Sequence, residues 1–91
     1  MKIERVISWF DKRNEDLIGE FNVDFISIDI LKGIFNPPVE DPLLYNPYDI
    51  NIEEVNSLKE YINIDFEFDK YTYQIDCFQV ENDKGFINVI I

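Results

Sequence analysis

All four prolines of this 91-residue chain fall between positions 37 and 47. Proline fixes φ and cannot donate a backbone hydrogen bond, which excludes this part of the chain from helices and central strands. The proline-rich loop, defined here as residues 36–50, therefore separates two stretches that can form regular structure. The loop also contains Leu43, Leu44, Tyr45 and Tyr48, so we expect it to pack against the body of the protein rather than serve as a linker.

The stretch before the loop predicts a β-hairpin followed by a helix. Apolar residues alternate over 2–10 and again over 17–23, with a polar turn between them. A helix is predicted over roughly 25–35, because its apolar residues recur at helical spacing and Asp24 or Ser27 can cap it. Asn36 and the prolines after it end this helix.

The stretch after the loop predicts a second helix and further strands. Asn51 with Glu54 forms a capping-box pattern at the start of a helix over 52–62. Apolar and acidic residues then alternate over 64–69, which predicts an extended segment with one wet face. Three further features follow: a strand over 70–80, a hairpin loop over 81–85 and a final strand over 86–91.

These elements predict one domain of the α+β class spanning residues 1–91. Their order is ββααββ, and we expect an antiparallel sheet with two helices packed on one face. An apolar fraction of 46% with 15% aromatic residues supports a folded core rather than a disordered chain.

Negative charge is concentrated in the middle of the chain. The net charge is −11, and residues 33–69 hold nine acids and one base, a net of −8, whereas the other 54 residues carry a net of −3. If the acidic residues served only to keep the protein soluble, they would not need to be clustered in one part of the chain. A net negative charge disfavours binding to nucleic acid or anionic membranes and favours cationic partners.

The residue types argue against catalysis, cofactors and metal. The chain has no histidine and a single cysteine, Cys77, which we interpret as a small core residue. These residues cannot supply the usual ligands of structural zinc. Asp49, Asn51, Glu53 and Glu60 fit part of a calcium-loop frame, but position six of the frame is not the glycine that such a loop needs. We therefore expect no enzyme activity, no cofactor and no metal.

The acidic and aromatic residues of the middle third form the candidate surface for binding a protein. Tyrosine is frequent in interface hot spots, and acidic rims speed encounter with basic partners. The same tyrosines could instead pack the loop onto the helices, and the same acids could form an ordinary solvated edge. The candidate partner-binding residues are Glu40, Asp41, Tyr45, Tyr48, Asp49, Glu53, Asp65, Glu67 and Asp69.

Two short motifs carry a resemblance to a known group of proteins. The motifs are Asp41-Pro42-Leu43, followed by a tyrosine and a capped helix, and Phe68-Asp69-Lys70-Tyr71-Thr72-Tyr73. The chain, from the first hairpin to Val80, resembles small acidic bacterial proteins that are uncharacterised or of immunity-protein type. The resemblance implies an inhibitor of a secreted polymorphic or contact-dependent toxin, and it transfers no binding residues.

The sequence therefore predicts a cytoplasmic immunity protein, monomeric or homodimeric, that occludes the active site of a basic toxin domain. The first residues lack the apolar core of a signal peptide, and no apolar run is long enough to span a membrane. Two alternatives remain. One is a phage-type nucleic-acid mimic that inhibits a CRISPR or restriction complex, and the other is a small homo-oligomeric interaction protein that pairs through residues 86–91.

Overall fold

The computed structural model describes residues 2–80, which form an antiparallel sheet with two helices on one face, as the α+β prediction required. The final strand predicted over 86–91, and the hairpin loop before it, lie outside the described residues. In chain order the elements are β1 (Lys2–Asp11), β2 (Leu17–Asn22), α1 (Ile28–Phe35), β3 (Tyr48–Asp49), α2 (Ile52–Leu58) and β4 (Tyr71–Val80).

The two longest strands form the centre of the sheet. β1 and β4 pair along their whole length, from Lys2 opposite Val80 to Asp11 opposite Tyr71. β2 lies on the outer side of β1 and β3 on the outer side of β4, which gives the strand order β2-β1-β4-β3. The short strand β3 was not predicted, because it has only two residues and immediately follows a proline.

Both helices are shorter than predicted. α1 begins at Ile28, where the Ser27 hydroxyl accepts the Ile30 N–H, whereas Asp24 accepts the Arg5 N–H and does not cap the helix. The capping box at the start of α2 is confirmed, but the helix ends at Leu58. The chain continues in turns to Ile62, which is still buried, and this explains why the apolar pattern suggested a longer helix.

The core fills the space between the helices and the sheet. Each layer contributes fully buried side chains, among them Ile7 and Ile75 from the central strands and Leu31 and Leu58 from the helices. The proline-rich loop contributes Leu44, so the expectation that this loop packs against the body is confirmed. In contrast, the alternation in β2 does not mark a buried face, because Leu17, Ile18 and Phe21 are exposed.

Neither helix within residues 2–80 is long and apolar enough to cross a lipid bilayer.

Gly19 allows β2 to lie close to the indole ring of Trp9. The two residues are cross-strand partners, and a Cβ atom at position 19 would overlap with Cζ2 of the Trp9 ring. Trp9 itself packs against the core and lies 5.9 Å from the Tyr73 ring, so it cannot move without disturbing its neighbours.

We therefore predict that Gly19→Ala lowers the free energy of unfolding by about 1–3 kcal/mol, the usual range for overpacking. Gly33→Ala is the matched control, because it lies within α1 with no atom within 4 Å of its added methyl group. That control should stabilise the protein by about 0.5–1 kcal/mol. Urea unfolding followed by circular dichroism measures both changes, and equal stability of the two variants would contradict the proposed close approach.

Candidate functional site

The carboxylate of Asp41 organises the proline-rich loop. Its Oδ1 accepts the Tyr45 N–H at 2.9 Å, and its Oδ2 accepts the Asn46 N–H at 3.1 Å and the Tyr48 hydroxyl at 2.6 Å. Asp41 is only 5% exposed. Three donors on one buried carboxylate satisfy its hydrogen-bonding capacity within the chain and fix the path of the loop.

Arg5 ties the same loop to the sheet. Its Nη2 donates to the Leu43 carbonyl at 2.6 Å, and its positive charge acts on the Asp41 carboxylate. Between these contacts Leu44 adopts a left-handed conformation with φ 57° while its side chain is buried in the core. Such a conformation costs a non-glycine residue about 1–2 kcal/mol, which the surrounding contacts offset.

The hydrogen bond between Tyr48 and Asp41 shifts the pKa of both groups. The Tyr48 hydroxyl, followed by the two backbone donors, lowers the pKa of Asp41 below its ordinary value of 3.8 despite the burial that opposes it. Burial, with the adjacent Asp41 carboxylate, raises the pKa of Tyr48 to about 12. The neutral phenol and the charged carboxylate are therefore both stabilised at neutral pH.

Asp41 and Tyr48 thus have a different place from the one that the sequence suggested. Both were candidate partner-binding residues, but Asp41 is buried and Tyr48 is half-buried with its hydroxyl donated inward. In this structure they hold the loop, and their polar atoms are not presented to a partner. The remaining seven candidates are exposed: Glu40, Tyr45, Asp49, Glu53, Asp65, Glu67 and Asp69.

The alternating segment over 64–69 presents its carboxylates to solvent, as its pattern predicted. Phe66 and Phe68 pack against the core, and their ring centroids lie 4.8 Å and 5.4 Å from that of Tyr73. The Tyr73 hydroxyl also accepts the Glu67 N–H at 2.9 Å. These contacts turn the side chains of Asp65, Glu67 and Asp69 outward.

The structure brings five of the exposed acids to one region. Phe68 lines two adjoining hollows, one of which is also lined by Asp49 and Thr72 and the other by Ile52 and Asp65. The two hollows meet where β3, α2 and the start of β4 approach one another. This region is called here the acidic end. It comprises Asp49 and Asp65, which line the hollows, and three acids that adjoin lining residues in the chain: Glu53, Glu67 and Asp69.

Tyr45 lies apart from the acidic end. Tyr45 lines a cavity with Ile3, Cys77 and Gln79, near the far end of β4. Eight residues of extended strand separate Tyr71 from Gln79, which corresponds to roughly 26 Å. The nine candidates therefore do not form one surface.

Most acids of the acidic end are not in a close ion pair. Within residues 2–80 there are two ion pairs, Lys70 with Glu67 at 3.2 Å and Arg13 with Asp11 at 3.1 Å, and the second borders the acidic end because it lines a hollow with Asp69. Asp49, Glu53, Asp65 and Asp69 are exposed carboxylates without an ion-pair partner among those residues. Three lysines line the same hollows as these acids: Lys12 with Asp49, Lys59 with Asp65, and Lys70 with Asp69. The five acids of the acidic end outnumber these lysines, so its charge is negative but partly offset.

A hollow with an apolar lining lies within the acidic end. It has a volume of about 280 Å³ and runs between α2 and residues 64–68, with Lys59 and Asp65 at its edges. We call it the α2 groove. Its apolar lining consists of Ile52, Val55, Ile64, Phe66 and Phe68.

Ile52 is a groove residue that sequence reasoning assigned to the core. Its spacing from Val55 and Leu58 placed it on the apolar stripe of α2, yet its side chain is 61% exposed whereas those two are buried. Tyr61, assigned to the same stripe, is also exposed. Periodicity cannot distinguish a core contact from an apolar residue left at the end of a short helix.

Cys77 is half-buried rather than a core residue. It lines the cavity beside Tyr45, and burial raises the pKa of its thiol. A raised pKa leaves little of the nucleophilic thiolate at neutral pH.

No group of three acidic or cysteine side chains within residues 2–80 converges as metal ligands would. The partial calcium frame that begins at Asp49 is interrupted by α2.

We predict that Tyr48 ionises near pH 12, well above an ordinary tyrosine. Phenolate absorbance near 295 nm, recorded as the pH is raised, should show a step near 12 that Tyr48→Phe removes. Tyr61→Phe, the control, replaces an exposed tyrosine and should leave that step in place. If Tyr48→Phe instead removes absorbance change near pH 10, where an ordinary tyrosine ionises, the buried hydrogen bond of Tyr48 would be contradicted.

We also predict that Asp41→Asn destabilises the protein at pH 7 but much less at low pH. Because folding lowers the Asp41 pKa, its carboxylate contributes stability above pH 3.8, and this contribution disappears as the pH falls through the folded-state value. An amide offers one acceptor oxygen, as a protonated carboxyl does. We expect a fall in melting temperature of roughly 5 °C or more at pH 7, measured by circular dichroism, and a difference from the wild type that narrows progressively as the pH falls below 3.8. A difference that does not depend on pH would contradict this role of the charge.

Comparison with known proteins gives a family but no function. No curated protein matches the chain. A family model matches residues 4–76, which include all six elements except the first two residues of β1 and the end of β4, and the Asp41 loop and the acidic end both fall within the match. The chain therefore belongs to the family described as a domain of unknown function (DUF7683).

Proposed function

We propose that this protein binds and neutralises a basic protein, as an immunity protein does with its cognate toxin domain. It would act in the cytoplasm and would block the partner by covering it rather than by chemical modification. The observation that carries this proposal is the exposed charge of the acidic end, where acids outnumber the neighbouring lysines and four carboxylates have no ion-pair partner within residues 2–80.

Charge of this kind suits association with a cationic protein. Exposed carboxylates that are not tied to internal cations keep their field directed toward solvent, which steers a basic partner to the surface. A toxin that grips nucleic acid needs a basic surface to do so, and an acidic inhibitor can occupy that surface. The toxin class itself comes from the resemblance of the chain to immunity-type proteins.

The way the acids are held also supports the proposal. Asp49 belongs to β3, Glu53 to the first turn of α2, and Asp65 to the segment fixed by the Tyr73 aromatic contacts. Positions on packed elements lose less conformational entropy on binding than positions on a free loop. The acidic end is therefore preorganised for docking.

The test is co-expression of the protein with the product of the gene beside its own. We expect the neighbouring product to arrest growth alone, and co-expression to restore growth and yield a complex of the two proteins. Because steering charges are screened by salt, the affinity should fall by about tenfold or more between roughly 0.05 M and 0.5 M salt. A neighbour that is harmless alone, or that never binds, would refute the proposal.

Charge reversal locates the contact. The triple variant Asp49→Lys, Glu53→Lys and Asp65→Lys should weaken the complex by about a hundredfold or more. A matched triple changes Asp16, Glu20 and Asp29 to lysine, since these are exposed acids in a loop, a strand and the first turn of α1. Both variants change the net charge equally, so equal losses of affinity would place the contact elsewhere.

A further inference from the structure

We infer that the α2 groove is the specificity pocket of this surface and receives an apolar side chain from a partner segment in which that side chain is flanked by lysine or arginine. This inference rests on the proposed function and deepens it. The acidic end attracts the basic flanks, and the groove selects the residue between them.

The shape and lining of the groove fit one large side chain. Its volume of about 280 Å³ is at or below the lower limit of small-molecule sites, so it suits a side chain better than a free ligand. Val55 is buried at the groove, whereas Ile52 is 61% exposed beside it. Covering Ile52 would remove from water an apolar side chain that no contact within the domain buries.

The groove is formed by residues that the fold already holds in place. Phe66 and Phe68 stack on each other at a centroid distance of 6.0 Å, and both contact the buried ring of Tyr73. The Glu67 N–H bond to the Tyr73 hydroxyl fixes the backbone between the two rings. A preformed apolar pocket of this kind is typical of the anchor sites at protein interfaces.

The charge around the groove identifies the occupant. The lining itself has one acid, Asp65, and one base, Lys59. The residues next to the lining residues in the chain add no base and five acids: Glu53, Glu54, Glu60, Glu67 and Asp69. A partner segment that presented only apolar residues would leave these carboxylates without a counter-charge, and an acidic segment would be repelled. An apolar residue between basic residues satisfies both the groove and its surroundings.

The probe is a synthetic peptide, acetyl-Lys-Arg-Leu-Phe-Lys-Arg-amide, titrated into the 15N-labelled full chain. We expect chemical-shift changes at Ile52, Lys59 and the 64–68 segment, with saturable binding in the micromolar to millimolar range. A second peptide with Ser-Ser in place of Leu-Phe keeps the charge and should bind at least about tenfold more weakly, because it cannot bury apolar surface in the groove.

A variant pair separates the groove from general surface hydrophobicity. Ile52→Gln should lower the affinity for the Leu-Phe peptide by about tenfold and leave the affinity for the Ser-Ser peptide unchanged. Val39→Gln is the matched control, because Val39 is 92% exposed and does not line the groove. It should leave the affinity for both peptides unchanged.

The outcomes distinguish this inference from the proposed function. Equal binding of the two peptides, shift changes away from the groove, or no effect of Ile52→Gln would overturn the groove as a specificity pocket. Absence of any binding would overturn it as well. The proposed function is judged separately by growth rescue, so it can survive each of these results, whereas failure of rescue together with selective peptide binding would leave an apolar–basic binding site with a different partner.

Discussion

The buried carboxylate of Asp41 is the constraint on which the middle of this protein depends. Its three donors turn the proline-rich loop so that Tyr48 reaches the sheet and pairs with Ile75. Two residues later the Ile50 N–H bonds to the Tyr73 carbonyl at 2.9 Å. These contacts fix the point where α2 starts beside β4, and therefore where the acidic end is assembled.

Tyr73 is a second residue that fixes the surroundings of the acidic end. It is only 4% exposed. Its ring contacts Trp9 of β1, Tyr71 of its own strand, and Phe66 and Phe68 of the alternating segment over 64–69. Because the two phenylalanines must face this ring, the acids that alternate with them must face water. The carboxylates are exposed as a consequence of where their aromatic neighbours are buried, which is a stronger constraint than their own preference for solvent.

The sequence predicted the parts of the fold that local rules determine. Period-two alternation located β1 and β4 to within a residue, and the Asn51–Glu54 capping box located the start of α2. It did not predict β3, since two residues after a proline carry no periodic signal and pair only because the loop delivers them to β4. The length of α2 was overestimated because Ile62 faces the core from a turn, and helical spacing alone does not reveal that change.

The candidate site was predicted less completely, for a related reason. The alternation over 64–69 correctly predicted three exposed acids, although the chain turns from Phe68 instead of staying extended to Asp69. Asp41 and Tyr48, in contrast, look the same in sequence as any acid and tyrosine beside prolines. What distinguishes Asp41 is the convergence of three donors, two of them backbone N–H groups freed by the left-handed turn at Leu44, and such convergence arises only from the folded loop.

The two kinds of carboxylate in this protein show what separates a structural acid from one available to a partner. Asp41 is buried and its charge is stabilised by donors of its own chain, so exposing it to a partner would break the loop. Asp49, Glu53 and Asp65 are exposed and form no ion pair within the described residues, so a partner's cation could approach them without breaking an internal pair. An excess of negative charge in the sequence therefore does not by itself locate a binding surface. A partner can reach carboxylates that folding leaves exposed and that no internal donor has engaged, and here one of them, Asp65, lines the α2 groove.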